Sequence, residues 1–172
     1  FLLYISYVGI FHFSFIDGLY LIYAGKNYDQ LSKQKFRRFT NFFLKLETIV
    51  MILALILSLF FKGQRQIMLI LTAINLIILN MTTYFQFISQ IKERFKEFAI
   101  RNILFTVLNV TLIGTFYIFK IKSYILFIIM TTIINAILLL WYLFTYRDII
   151  FGEKNSFSNE KSDITTMFKV GI

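Results

Sequence analysis

Five apolar runs, each about long enough to cross a bilayer, constrain this chain more than anything else in it. They cover Leu2–Tyr23, Thr40–Phe61, Ile67–Ile88, Asn102–Phe119 and Tyr124–Tyr146. A helix crosses the hydrocarbon core with about 20 residues, and a membrane strand needs only about 9–11 of alternating polarity. These runs are too long and too continuous for strands. The expected fold class is therefore all-α, a polytopic membrane bundle of about five transmembrane helices in one domain over 1–172. Of the 172 residues, 58% are hydrophobic, above the usual soluble share even without counting glycine.

The charges between the runs give a direction. Lys26, Lys33, Lys35, Arg37 and Arg38 follow the first run. Lys92, Arg94, Lys96 and Arg101 follow the third, and Arg147, Lys154, Lys161 and Lys169 the fifth. The alternate turns hold only Lys62 and Arg65, then Lys120 and Lys122, so one side carries 13 basic residues and the other 4. Cytoplasmic loops are enriched in Lys and Arg. Segments 24–39, 90–101 and 147–162 are therefore expected in the cytoplasm, with the first run entering from outside. A net charge of +9 spread this way fits topology and contact with anionic membrane lipids, with no role for nucleic acid.

The absence of cysteine excludes disulfides, thiolate nucleophiles and cysteine metal sites, and the single His12 excludes a multi-histidine site. No metal and no cofactor are expected. Phe1 lies inside an apolar run, and Ser162 or Asp163 could cap a helix over 163–172. The chain is accordingly expected to be part of a longer polytopic protein.

Polar residues inside the runs are the candidate sites, because each is costly in hydrocarbon. Asp17 lies about six residues, roughly 9 Å, from the inner end of the first run. It is either a coupling site or a shallow tether beside Gly18, which with Gly25 forms a face for close helix contact. His12 lies five residues earlier, about 140° around an ideal helix, so a direct pair with Asp17 is not expected. Lys45 is read as snorkelling to the interface, and Glu47, two residues on, needs a different partner. Three runs carry polar stripes at helical spacing. They are Thr72, Asn75, Thr82 or Thr83, Gln86 and Gln90; then Asn102, Thr106 and Asn109; then Thr131 or Thr132, Asn135 and Tyr142. They are either interhelical glue or the lining of a hydrated cavity.

The stretch IDGLYLIYAGKNYDQLSKQKF, Ile16 to Phe36, resembles the exit of the second helix in bacterial polysaccharide flippases. These belong to the multidrug/oligosaccharidyl-lipid/polysaccharide exporter superfamily. YFQFISQIKERFKEFAIRN, Tyr84 to Asn102, is similar to the basic segment after their fourth helix. YRDIIFGEK, Tyr146 to Lys154, with the later FKVGI, looks like the connection into their seventh. The resemblance covers helices two to six and the start of seven. The chain departs from the family in lacking proline and in carrying few cations deep in its runs.

The resemblance implies a transporter, not an enzyme. It would flip lipid-linked oligosaccharide across the bacterial cytoplasmic membrane during cell-envelope polysaccharide, lipopolysaccharide or O-antigen synthesis, beside glycan-assembly enzymes. Lys26, Lys45, Arg94 and Arg101 would then meet the pyrophosphate at the cytoplasmic mouth, and Asn75, Asn109 and Asn135 would line the cavity. A drug or cation antiporter of the same superfamily would rest instead on Asp17, Glu47 and His12 for proton or sodium coupling. A membrane enzyme of polysaccharide assembly, polymerase or glycosyltransferase, is the alternative of another class. Such enzymes usually need a large outer loop, and here both outer turns are a few residues long.

Overall fold

The structure, a computed structural model, describes residues 8–24, 33–150 and 161–170. It is an all-α polytopic membrane helix bundle, with no strand among the described residues. A short 3-10 turn, Val8–His12, precedes α1, Phe15–Tyr23. Four long helices follow: α2, Lys33–Ser58; α3, Gln64–Ile91; α4, Phe95–Ile118; and α5, Tyr124–Thr145. The short α6, Arg147–Ile150, and α7, Lys161–Val170, complete the chain. Helices α2 to α5 are each long and apolar enough to cross a membrane.

The long helices run up and down, so the starts of α2 and α4 share one end with the finishes of α3 and α5. That end carries Lys33, Lys92, Arg94 and Arg147 and is the basic end of the bundle. Helix α3 is central: α1, α2, α4, α5 and the 3-10 turn all pack on it. At the opposite end Phe60, Tyr117 and Ile118 are at least 73% exposed. Such a surface is anomalous in water, whereas hydrocarbon solvates it without penalty.

Two helices begin inside the expected basic loops. Helix α2 starts at Lys33 rather than Thr40, because Phe36, Phe39, Thr40 and Phe43 fall on one buried face at helical spacing. Its basic residues occupy the other faces. Arg37 donates from Nε to the Ile149 carbonyl at 3.1 Å and from Nη2 to that of Asp148 at 3.0 Å, and Lys33 pairs with Asp148 at 3.4 Å. A guanidinium on the last carbonyls of α6 satisfies acceptors that the helix itself leaves open. Helix α4 starts at Phe95 rather than Asn102 for a different reason: Glu97 sits in its first turn, where a carboxylate favours the helix dipole.

The first expected run is not one helix. Phe13 and Ser14 take positive φ angles of 50° and 59°, which breaks the chain between the 3-10 turn and α1. Residues 1–7 lie outside the described residues, as do 25–32 with Lys26 and Gly25, 151–160, and 171–172.

The packed core lies toward the basic end and is largely aromatic. Phe15 stacks on Phe43 at 5.5 Å, Phe43 on Tyr84 at 5.3 Å, and Phe85 on Tyr146 at 5.8 Å. Offset ring pairs of this kind add to the area they bury. Buried hydroxyls there are matched: Tyr84 with Thr40 at 2.9 Å and Tyr146 with Ser89 at 2.7 Å. Lys92 lies beyond the end of α3, 4.8 Å from the Tyr146 ring centroid. Burial pushes its ammonium down to about 8, against the opposing pull of Asp148.

Candidate functional site

The three polar stripes meet one another. Asn75 on α3 donates to Thr132 Oγ1 on α5 at 2.7 Å and to its own Leu71 carbonyl at 2.9 Å. Gln86 on α3 donates to Asn102 Oδ1 on α4 at 3.1 Å. Arg101 on α4 donates from Nη2 to Thr145 Oγ1 on α5 at 2.5 Å. These bonds lie along a polar seam between α3, α4 and α5. In the stretch between Asn75 and Thr132 the stripes bind each other directly, which is the glue reading. Asn135 is buried on α5. Asn109 is half-buried and donates to the Phe105 carbonyl of its own helix at 2.9 Å.

Arg101 stands apart from the other cations. It is 2% exposed, the one fully buried residue of an otherwise outward-facing helix. Its guanidinium lies 4.4 Å from the centroid of Tyr142 and 5.0 Å from that of Trp141, a cation–π arrangement between two rings of α5. Glu97, one turn earlier and partly exposed, approaches Nη2 at 3.7 Å. Nε and Nη1 are buried without a hydrogen-bond partner, and so is the Tyr142 hydroxyl. The two guanidinium nitrogens are donors short of an acceptor, and the Tyr142 hydroxyl beside them can donate or accept.

The other expected mouth residues are dispersed. Arg94 is exposed and pairs with Glu97 at 3.3 Å. Lys45 is on the outer face of α2 and exposed, while Arg101 faces α5 from α4. Lys26 lies outside the described residues.

Glu47 is the second buried charge. It is 0% exposed, on the face of α2 that packs against α3. Asn80 donates from Nδ2 to Glu47 Oε2 at 2.9 Å and to the Val8 carbonyl at 3.2 Å. Glu47 Oε1 is buried with no partner. One turn away, Val50 of α2 and Leu76 of α3 border an apolar groove of about 530 Å³ that also takes in Val8, Phe11, Leu57 and Leu69.

His12 Nδ1 comes within 3.9 Å of Asp17, nearer than helical spacing implies, but makes no hydrogen bond. That expectation assumed one continuous helix, and the break at Phe13–Ser14 swings His12 back over the first turn of α1. Asp17 remains 47% exposed. Gly18 beside it is the packing residue, lying against the backbone of Met167 on α7.

Asn80 is the residue that the stripe pattern overlooks. It falls five positions after Asn75, off the stripe. A signal was present in the hairpin: Glu47 is 16 residues before Gly63 and Asn80 is 17 after it, which sets the two level. Among the described residues, no three of His, Cys, Asp and Glu cluster as metal ligands. No family model matches the chain, and neither a curated protein nor a solved structure matches it.

Proposed function

We propose that this chain forms part of a transporter that moves lipid-linked oligosaccharide across the bacterial cytoplasmic membrane. The observation that carries the reading is Arg101, a buried guanidinium with two unpartnered nitrogens at the basic end of the α3–α4–α5 seam. A diphosphate headgroup entering the seam would supply the acceptors that Arg101 Nε and Nη1 lack. Gln86, Asn102 and Thr145 would exchange their mutual bonds for sugar hydroxyls, while the lipid tail stays in hydrocarbon. The basic end faces the cytoplasm by the positive-inside rule, so the anion would be collected on the side where such precursors are made. The family resemblance supports the same reading.

The test is movement of a polyprenyl-diphosphate-linked oligosaccharide between leaflets of vesicles holding the full chain, followed by its accessibility to an external glycosidase. Arg101→Ala should slow movement about tenfold or more, the worth of a hydrogen bond to a charged group. Unchanged movement at equal abundance removes Arg101 from the site. No movement with the wild-type chain removes the reading.

Glu47 favours a second reading, a drug or cation antiporter of the same superfamily, since a buried carboxylate can serve a cationic substrate. Transport of a lipophilic cation that is lost in Glu47→Gln and kept in Arg101→Ala would select it.

A further inference from the structure

We infer that Glu47 is a proton-binding site within the membrane, and that its proton holds closed a clamp on the segment before α1. The carboxyl lies deep in the bundle. It is 15th of the 26 residues of α2, and at 1.5 Å per residue roughly 17 Å or more from either helix end. Its one hydrogen-bond partner is the neutral amide of Asn80. A buried carboxylate needs several donors or a cation to balance the loss of water, and neither stands here. A carboxylic acid needs far less. Bonded at Oε2 and protonated at Oε1, Glu47 leaves one O–H without an acceptor in place of an uncompensated charge, the smaller of the two costs.

The surroundings supply no counter-charge. Elements packed against α2 are α3, the 3-10 turn and α6, with α1 and α7 reaching it through Phe15 and Phe168; α1 carries Asp17 and Tyr20, and α7 carries an exposed Lys169. Helix α3 presents Tyr84, already bonded to Thr40. The turn presents His12, whose Nδ1 lies 3.9 Å from Asp17 and makes no hydrogen bond. Helix α6 presents Arg147 and Asp148 at the basic end, the latter paired with Lys33. On α2 itself Lys45 faces outward. Glu47 makes no ion pair among the described residues.

Asn80 turns protonation into movement. Its Nδ2 is shared between Glu47 and the Val8 carbonyl, so one amide ties α2 to the 3-10 turn. When Glu47 loses its proton, the carboxylate draws both amide hydrogens and water toward itself, and the Val8 carbonyl loses its donor. The turn then detaches from α2 and α3, and the apolar groove bordered by Val8, Val50 and Leu76 opens from that side. Protonation restores the tie. Use of this cycle to drive glycan movement rests on the transporter reading above; the site and the clamp do not.

The tests therefore involve no glycan. With ¹³C-labelled glutamate, the wild-type chain in lipid vesicles should show a carboxylic-acid carbonyl band in the infrared at neutral pH. Its absence overturns the proposal without requiring any variant to fold. The chain has no cysteine, so Val8→Cys can report the clamp by its rate of maleimide labelling. Labelling, corrected for the reagent's own pH dependence on an exposed cysteine, should rise about tenfold as pH increases. It should stay low at every pH when Glu47→Gln is added. An equal rise in Glu47→Gln, loss of the rise in His12→Asn, or a response that follows sodium in place of choline at constant pH each overturns it.

Discussion

Gly18 of α1 touches the main chain of Met167 on α7: a Cβ on Gly18 would stand 2.7 Å from the Met167 carbonyl carbon, and nearer still to its oxygen. The obstacle is backbone, so no side chain can rotate aside. Gly18→Ala should therefore separate α1 from α7 and cost about 1–3 kcal/mol, the usual range for overpacking. Thermal unfolding in detergent should show a lower midpoint, with faster proteolysis in α7. A substitution of no consequence would mean that the two helices do not need this approach.

Asn75 and Thr132 form the direct bond between α3 and α5. Side-chain bonds between membrane helices average about 0.6 kcal/mol and reach about 1.7. A double-mutant cycle with Asn75→Ala and Thr132→Val should give a coupling energy within that range. Coupling near zero would return this stretch of the seam to the cavity reading.

The long helices and the meeting of the polar stripes were legible because membrane solvation imposes length and periodicity on sequence. The packing role of the glycine at 18 was legible for the same reason. What escaped depends on backbone geometry that no local pattern encodes. Phe13 and Ser14 carry no turn signature, yet their positive φ angles bring His12 to Asp17. Asn80 sat off the stripe, and its importance follows from register against Glu47 rather than from its own helix. Of the four expected mouth cations, α4 buries one, because Arg101 falls on the narrow face that reaches Thr145 and Tyr142.

Lys92 gives a pH-dependence with a definite sign. Its folded-state value is lowered from 10.5 to about 8, chiefly by burial. Between those values the unfolded chain binds more protons, so stability rises with pH. The contribution is complete above about 10.5 and is lost as pH falls through about 8. Unfolding midpoints in detergent should climb across that window, and Lys92→Met should flatten the climb. A slope unchanged by Lys92→Met would assign it to other groups.

Arg101 separates function from stability. An arginine kept for structure would cost about 3–5 kcal/mol to remove, as breaking a buried pair does. Here the guanidinium is buried with two nitrogens unsatisfied, and its acidic neighbour Glu97 is 43% exposed and would stay hydrated. Arg101→Met keeps the packing against Tyr142 and Trp141 and removes the starved donors. It should leave the unfolding midpoint unchanged or raise it, while slowing movement of a diphosphate-linked glycan. A site held ready for a ligand is paid for in stability, and relieving that strain at the expense of transport is the expected signature. A fall in both together would instead make Arg101 a structural residue of the α4–α5 contact.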